Sequence, residues 1–241
     1  MENKVIIITG ASSGIGLASA REFARRGAKL SLGARSIDRL KEIQHDLEGK
    51  GCEVIITKTD VSKEADCKLL IENTLQEFGQ IDVLINNAGI SMRALFIDLD
   101  INVMKQLMDV NFWGTVYCTK YALPYLLKQQ GSLVGISSIA GFLGLPGRTG
   151  YSASKFAMHG FLETVRTENL KNNLHVLIAA PGFTASNVRK SALTADGSQQ
   201  GETPRAEEKM MSAEKVAIHL ASAIKKRKRT LILTFVEGKL T

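Results

Sequence analysis

Seven short apolar runs, separated by amphipathic stretches of helical length, constrain this chain more than any other feature of its sequence. The runs are Val5–Thr9, Leu30–Ala34, Val54–Lys58, Val83–Asn86, Ser132–Ser137, His175–Ala180 and Thr230–Thr234. Being apolar without strict alternation, they read as strands covered on both faces. Helical periodicity falls between them, at about Gly14–Arg26, Ser36–Glu48, Lys63–Phe78, Val103–Gln130, Tyr151–Asn172 and Ala213–Lys226. Strand and helix alternating through a whole chain demand a parallel sheet with helices on both faces, joined by right-handed crossovers. The expected architecture is therefore a doubly wound α/β sheet. No composition break and no internal repeat divides residues 1–241, so a single domain is expected. The longest stretch without periodicity, Gly182–Ser212, is too long for a bare connection in a compact domain; a substrate loop or lid is expected at about 183–212.

Composition excludes several classes. Hydrophobic residues are 44% and charged residues 23%, ordinary for a soluble globular protein, which disfavours disorder and a membrane bundle. Cys52, Cys67 and Cys118 are an odd number without CxxC or metal-ligand spacing, as expected of reduced thiols in a cytoplasmic protein. Val5–Ile8 is too short for a signal-peptide core, and no run approaches the ~18 apolar residues of a spanning helix. Lys and Arg number 31 against 24 Asp and Glu, a surplus of +7 that invites a polyanionic partner. Five of those cations form Lys225-Lys226-Arg227-Lys228-Arg229, and without them the balance is +2. The surplus is thus local, at the end of an expected helix where cations complement the helix dipole. No nucleic-acid partner is indicated, while anionic lipid, an acidic carrier protein or a localisation signal stay open for that run.

Immediately after the first strand comes Thr9-Gly10-Ala11-Ser12-Ser13-Gly14-Ile15-Gly16, and then a helix. Glycines at a strand-to-helix turn let the backbone approach a pyrophosphate, whose charge meets the free N–H groups and positive end of the helix. The spacing is GxxxGxG rather than GxGxxG, so the loop alone does not identify the nucleotide family. At the end of the second strand an NAD-binding chain would place a carboxylate on the adenosine 2′-hydroxyl. Here stand Gly33-Ala34-Arg35-Ser36. No carboxylate repels a 2′-phosphate, and the Arg35 guanidinium can pair with one in bidentate fashion, with Arg39 one turn later able to share the role. NADP(H) is the expected cofactor.

Three further segments carry chemistry: Asn86-Asn87-Ala88-Gly89 after the fourth strand, Ser137-Ser138 ending the fifth, and Tyr151-Ser-Ala-Ser-Lys155 opening a long helix. Tyr151 and Lys155 are four apart and share one helix face. An ammonium group beside a phenol favours tyrosinate and draws its pKa toward working pH, as a general acid/base requires. Ser138 falls at the carboxyl edge of the sheet, where open α/β folds bind ligands, and its hydroxyl can hold a carbonyl and stabilise a developing alkoxide.

With the TGASSGIG loop, these segments resemble the short-chain dehydrogenase/reductase family, in its short single-domain, NADP-dependent division, over Val5 to about Leu233. The resemblance implies a Rossmann fold and a carbonyl–alcohol interconversion. Tyr151 gives a proton to the carbonyl oxygen while the nicotinamide delivers hydride, Lys155 lowers the tyrosine pKa and holds the nicotinamide ribose, Ser138 orients the carbonyl, and Asn111 anchors a water in the proton relay. It also implies that Asp60, in Thr59-Asp60-Val61, contacts the adenine, that Val61 lies beside it, and that Asn87, Ala88 and Gly89 line the cofactor. Gly10, Ser12, Ser13, Gly14, Ile15 and Gly16 would cradle its phosphates. Pro181 and Gly182 match the family's PG segment, but Thr184 stands at an aliphatic position and Ser186 where a threonine is usual; Ser186 can still offer a hydroxyl to the carboxamide. Family members usually form homodimers or homotetramers through the helices near 103–130 and 151–172.

His45, His159, His175 and His219 are scattered without ligand spacing, so metal catalysis is not indicated. Met92, Phe142, Leu143, Leu145 and Phe183 are expected to give the pocket an apolar lining, and with it a hydrophobic ketone or aldehyde as substrate. Two other readings remain: a 3-oxoacyl-[acyl-carrier-protein] reductase, disfavoured by the absence of the usual Val-Asp/Asn-Gly-Gly ending, and a non-catalytic NADP-binding regulatory or scaffold protein, disfavoured by the intact Asn111, Ser138, Tyr151 and Lys155.

Overall fold

The computed structural model describes residues 1–182, 184, 191–201 and 210–233. Seven strands form one sheet, all parallel, in the order β3-β2-β1-β4-β5-β6-β7. They are β1 (Val5–Thr9), β2 (Lys29–Ala34), β3 (Val54–Lys58), β4 (Val83–Asn86), β5 (Ser132–Ile136), β6 (His175–Pro181) and β7 (Thr230–Leu233). The helices are α1 (Gly14–Arg25), α2 (Ile37–Glu48), α3 (Glu64–Phe78), α4 (Ile101–Met108), α5 (Gly114–Lys128), α6 (Thr149–Glu168) and α7 (Ala213–Lys225).

The inner apolar runs have the explanation expected of doubly covered strands, successive side chains feeding two separate cores, whereas the edge strand β7 is exposed at alternate residues and so is not covered on both faces. Ile6 and Ile8 pack with Phe23 of α1, Leu40 and Leu47 of α2, and Leu220 and Ile224 of α7. Ile7, between them, faces Leu70 of α3, Leu126 of α5 and Leu162 of α6. Burial of each such side chain contributes roughly 1.5–3 kcal/mol, so the sheet is stabilised from both sides. Among the described residues, no helix is long and apolar enough to cross a membrane.

One expected helix is not continuous. The 103–130 stretch divides into α4, a π-helical turn at Asp109–Trp113, and α5. The extra residue in that turn rotates Asn111 inward, where it is fully buried. Strand order reverses between β1 and β4, and the crevice at this switch point is where an open α/β sheet receives a ligand.

Candidate active site

A cleft of about 830 Å³ opens at the carboxyl ends of β1, β4 and β5. Its phosphate end is built by close backbone approach. Gly10 has φ +65°, and a Cβ there would lie 2.8 Å from Ala88 Cα. A Cβ on Gly16 would fall 2.3 Å from Gly10 O, so the start of α1 reaches the loop only because that side chain is missing. The β4 end braces the loop in turn: Asn87 Nδ2 donates to Thr9 O at 2.8 Å and Gly10 O at 3.2 Å. Thr9 Oγ1 accepts from the backbone N–H of Asn87 and of Ala88, both at 3.0 Å. No carboxylate lies in the first turn of α1, so its N–H groups face the cleft without a local anion. That arrangement fits a pyrophosphate.

At the other end, Ser138, Tyr151 and Lys155 line one wall. Ser138 caps a short 3₁₀ turn, its Oγ accepting from Ala140 N at 3.3 Å, and lies beside Tyr151 on the same wall. Lys155 Nζ donates to Ile136 O at 2.9 Å and sits 5.8 Å from the centre of the Tyr151 ring. Burial pushes the Tyr151 phenol above its ordinary pKa, opposed by the Ser138 hydroxyl and the Arg148 guanidinium. Burial also draws Lys155 down to about 8, because a desolvated ammonium is costly. Lys155 Nζ thus stands beside the phenol ring, with the Arg148 guanidinium a second cation that favours ionisation of Tyr151.

Of the remaining residues, Ser12, Ser13, Gly14, Ile15, Arg35, Asp60, Val61, Asn87, Ala88, Gly89, Pro181 and Gly182 all line the cleft. Gly16 lies behind the loop as packing. Asp60 Oδ1 accepts from Ser62 N and Ser62 Oγ, so its carboxylate also shapes the turn before α3. Arg39 pairs with Glu42, while Arg35 lines the cleft beyond β2. Asn111 stands behind the wall: its Oδ1 accepts from Ile90 N at 2.8 Å, and its Nδ2 donates to Ile90 O and Ser154 Oγ. Its side chain is engaged in locking the loop after β4 to α6. Ser186 and Phe183 lie outside the described residues.

The apolar lining differs from expectation. Leu145 faces the cleft, but Met92 is fully buried beneath it against Val103, Leu107 and Leu193. Phe142 and Leu143 are each 44% exposed. A residue not anticipated from sequence, Arg148, lies one turn before Tyr151, with its Nη1 donating to Ser91 Oγ at 2.6 Å and Met92 O at 2.7 Å. Its spacing of three from the tyrosine was the available signal. Part of the expected lid is ordered into this wall: Leu193 N donates to Ser91 O, and Arg93 N to Leu193 O, both at 2.8 Å.

Known proteins carry the same pattern. A family profile described as short chain dehydrogenase matches residues 4–197. Dehydrogenase/reductase SDR family member 7B of Mus musculus is 36% identical over 239 residues, which is 97% of this chain and 74% of the relative. The 11-beta-hydroxysteroid dehydrogenase-like 2 of Arabidopsis thaliana is 44% identical over 187 residues, 77% of this chain and 60% of the relative, so the chain spans less than two thirds of that protein's length. An alcohol dehydrogenase from the archaeon Thermococcus sibiricus, solved with 5-hydroxy-NADP, has a TM-score of 0.88 at 28% identity, with 100% of both chains covered. A short chain dehydrogenase/reductase from Burkholderia phymatum, in complex with NAD, has a TM-score of 0.85 at 26% identity over 96% of this chain and 89% of that one.

Proposed function

The chain belongs to the short-chain dehydrogenase/reductase family and is an oxidoreductase of that family; from this premise we propose that it is an NADP(H)-dependent enzyme interconverting a ketone or aldehyde with an alcohol. The observation that carries the reading is the meeting of Ser138, Tyr151 and Lys155 on one wall of the cleft. The cradle at Gly10 and Gly16 fits a dinucleotide pyrophosphate, and Arg35 at the rim fits a 2′-phosphate. When bound, the nicotinamide supplies or takes up hydride at the substrate carbon.

In the reductive direction the Ser138 hydroxyl donates to the substrate carbonyl, and the neutral Tyr151 phenol gives its proton to the oxygen as negative charge develops there. Burial favours that neutral phenol before reaction. Lys155, held on Ile136 O, stabilises the tyrosinate left behind. Asn111 fixes the loop that closes this end, in line with a part in the proton relay. Ile90, Val110, Leu145 and Leu193 favour an apolar substrate body, with Arg148 and Gln199 as polar contacts beside it. We also infer a homodimer or homotetramer joined through α4, α5 and α6; Trp113, in the turn between α4 and α5, and Phe156, on α6, are 43% and 46% exposed. The free thiols of Cys52, Cys67 and Cys118 suit the reducing cytoplasm.

The test is NADPH oxidation against a panel of ketones, aldehydes and 3-oxoacyl thioesters. At least one ketone or aldehyde is expected to turn over, and Tyr151→Phe is expected to lower its kcat by about a thousandfold or more while cofactor binding persists. Preferential turnover of the 3-oxoacyl thioesters would instead favour the acyl-carrier branch, and no turnover at all the non-catalytic one. Arg35→Asp is expected to weaken NADPH by about 1–3 kcal/mol and leave NADH nearly unchanged. Equal losses for both cofactors would remove the 2′-phosphate contact.

A further inference from the structure

Three successive turns on one face of α6 hold three successive residues at the end of β5. Tyr151 lines the cleft beside Ser138, Lys155 bonds the carbonyl of Ile136, and His159 Nε2 lies 2.5 Å from Ser137 Oγ. Positions four apart stack on a helix face, so Tyr151, Lys155 and His159 form one ladder. The chemistry proposed above uses the first two members and leaves the third without a role.

The surroundings of the third contact are closely fitted. His159 is half-buried, and its ring meets Phe142 edge-on with centroids 4.6 Å apart. A Cβ on Gly141 would lie 2.6 Å from Ser137 Oγ and 2.7 Å from His159 Nε2, so only glycine leaves room for their bond. Ser137 is held on its other side by β6, its N–H donating to Ala179 O at 2.6 Å. The next residue is Ser138, whose backbone is extended at φ −161°. A rotation at Ser137 would swing the Ser138 hydroxyl away from Tyr151.

We propose that His159 is a positioning residue for Ser138, its ring clamping the Ser137 hydroxyl so that the adjacent Ser138 hydroxyl stays aimed at the Tyr151 oxygen and the substrate carbonyl. This inference rests on the reductase reading. It does not place His159 on the substrate: the contact acts through its neighbour, as supporting hydrogen bonds commonly do when they orient catalytic groups.

The test compares His159→Phe, His159→Gln and Ser137→Ala on a substrate the wild type reduces, measuring kcat by NADPH oxidation and NADPH Kd by the fluorescence of the bound cofactor. His159→Phe is expected to lower kcat by about ten- to a hundredfold with Kd unchanged, a misplacement effect. His159→Gln, which keeps a polar group near Ser137, is expected to recover kcat to within about threefold of wild type. Ser137→Ala is expected to reproduce the His159→Phe loss, and the double variant to add nothing to it, as for two residues acting through one bond. Unchanged kcat in His159→Phe overturns the inference. So does a loss that His159→Gln shares in full, or one accompanied by an equal loss of NADPH affinity, because each marks general packing. If His159→Phe does not fold, His159→Gln and Ser137→Ala decide alone: wild-type kcat in Ser137→Ala, or a large loss in His159→Gln, overturns it. Failure of the wild type on every substrate would instead count against the reductase reading, which keeps the two failures separate.

Discussion

Lys155 carries the most costly environment in the site. Its ammonium is buried, bonded to one carbonyl, and drawn from 10.5 down to about 8. A folded-state pKa below the unfolded value means that the unfolded chain holds a proton that the folded chain releases between pH 8 and 10.5. Stability therefore rises with pH through that window, and below pH 8 the buried charge costs roughly 3 kcal/mol at most. Loss of the bond to Ile136 O offsets about 1 kcal/mol of this in a variant. Lys155→Met is accordingly expected to raise the thermal midpoint at pH 7 by about 5 °C while abolishing turnover, with the gain shrinking toward pH 10. Thermal unfolding at the two pH values checks it, and a lower midpoint at pH 7 would count against the desolvation account. That Tyr151 and Lys155 share a helix face was legible from their spacing, and their role from the company of the other motifs. Burial was not, since it depends on Ile136 of β5 and Gly89 of the loop after β4 arriving beside it.

At the scale of elements, the strands were legible almost to their ends because the runs are apolar, although only the inner strands are covered on both faces and β7, at the sheet edge, leaves Ile232 49% exposed. The break between α4 and α5 was not: the hydrophobic pattern continues through Asp109–Trp113, and a π turn changes the register without changing composition. The glycine loop was visible as a motif, whereas its purpose as a spacing device emerged from distances. Gly16→Ala places a methyl 2.3 Å from Gly10 O and 2.5 Å from Asn87 Nδ2, against backbone on one side and a braced amide on the other. We expect it to lower NADPH affinity at least about tenfold and to destabilise the fold by about 1–3 kcal/mol, read by cofactor titration and denaturant unfolding. Wild-type affinity would mean that α1 can shift away from the loop without loss.

Across the whole molecule, the two ends of the sheet have separate tasks. The carboxyl end holds the cleft; the amino end is tied by part of the basic run. Arg227, at φ +50°, donates to Gln130 O at 3.0 Å and to Asn173 O at 2.5 Å, joining the turns that precede β5, β6 and β7. His175 Nε2 bonds Lys228 O at 2.9 Å beside it. One of the five clustered cations is thus a clamp. Arg227→Ala is expected to lower the thermal midpoint by about 2–4 °C and to leave kcat and NADPH Kd unchanged, since the cleft lies at the opposite edge. A change in Kd without a change in midpoint would refute that separation.

Sequence by itself determined the strand–helix alternation, the phosphate-binding loop and the Tyr151–Lys155 face, because each follows from spacing within a few residues. Tertiary structure alone decided what those residues meet. It buried Lys155, turned Asn111 inward, set Met92 beneath the cleft and Arg148 on its wall, and brought His159 to Ser137. Each of these depends on pairing between strands and helices far apart in the chain, and local periodicity carries no record of the partner.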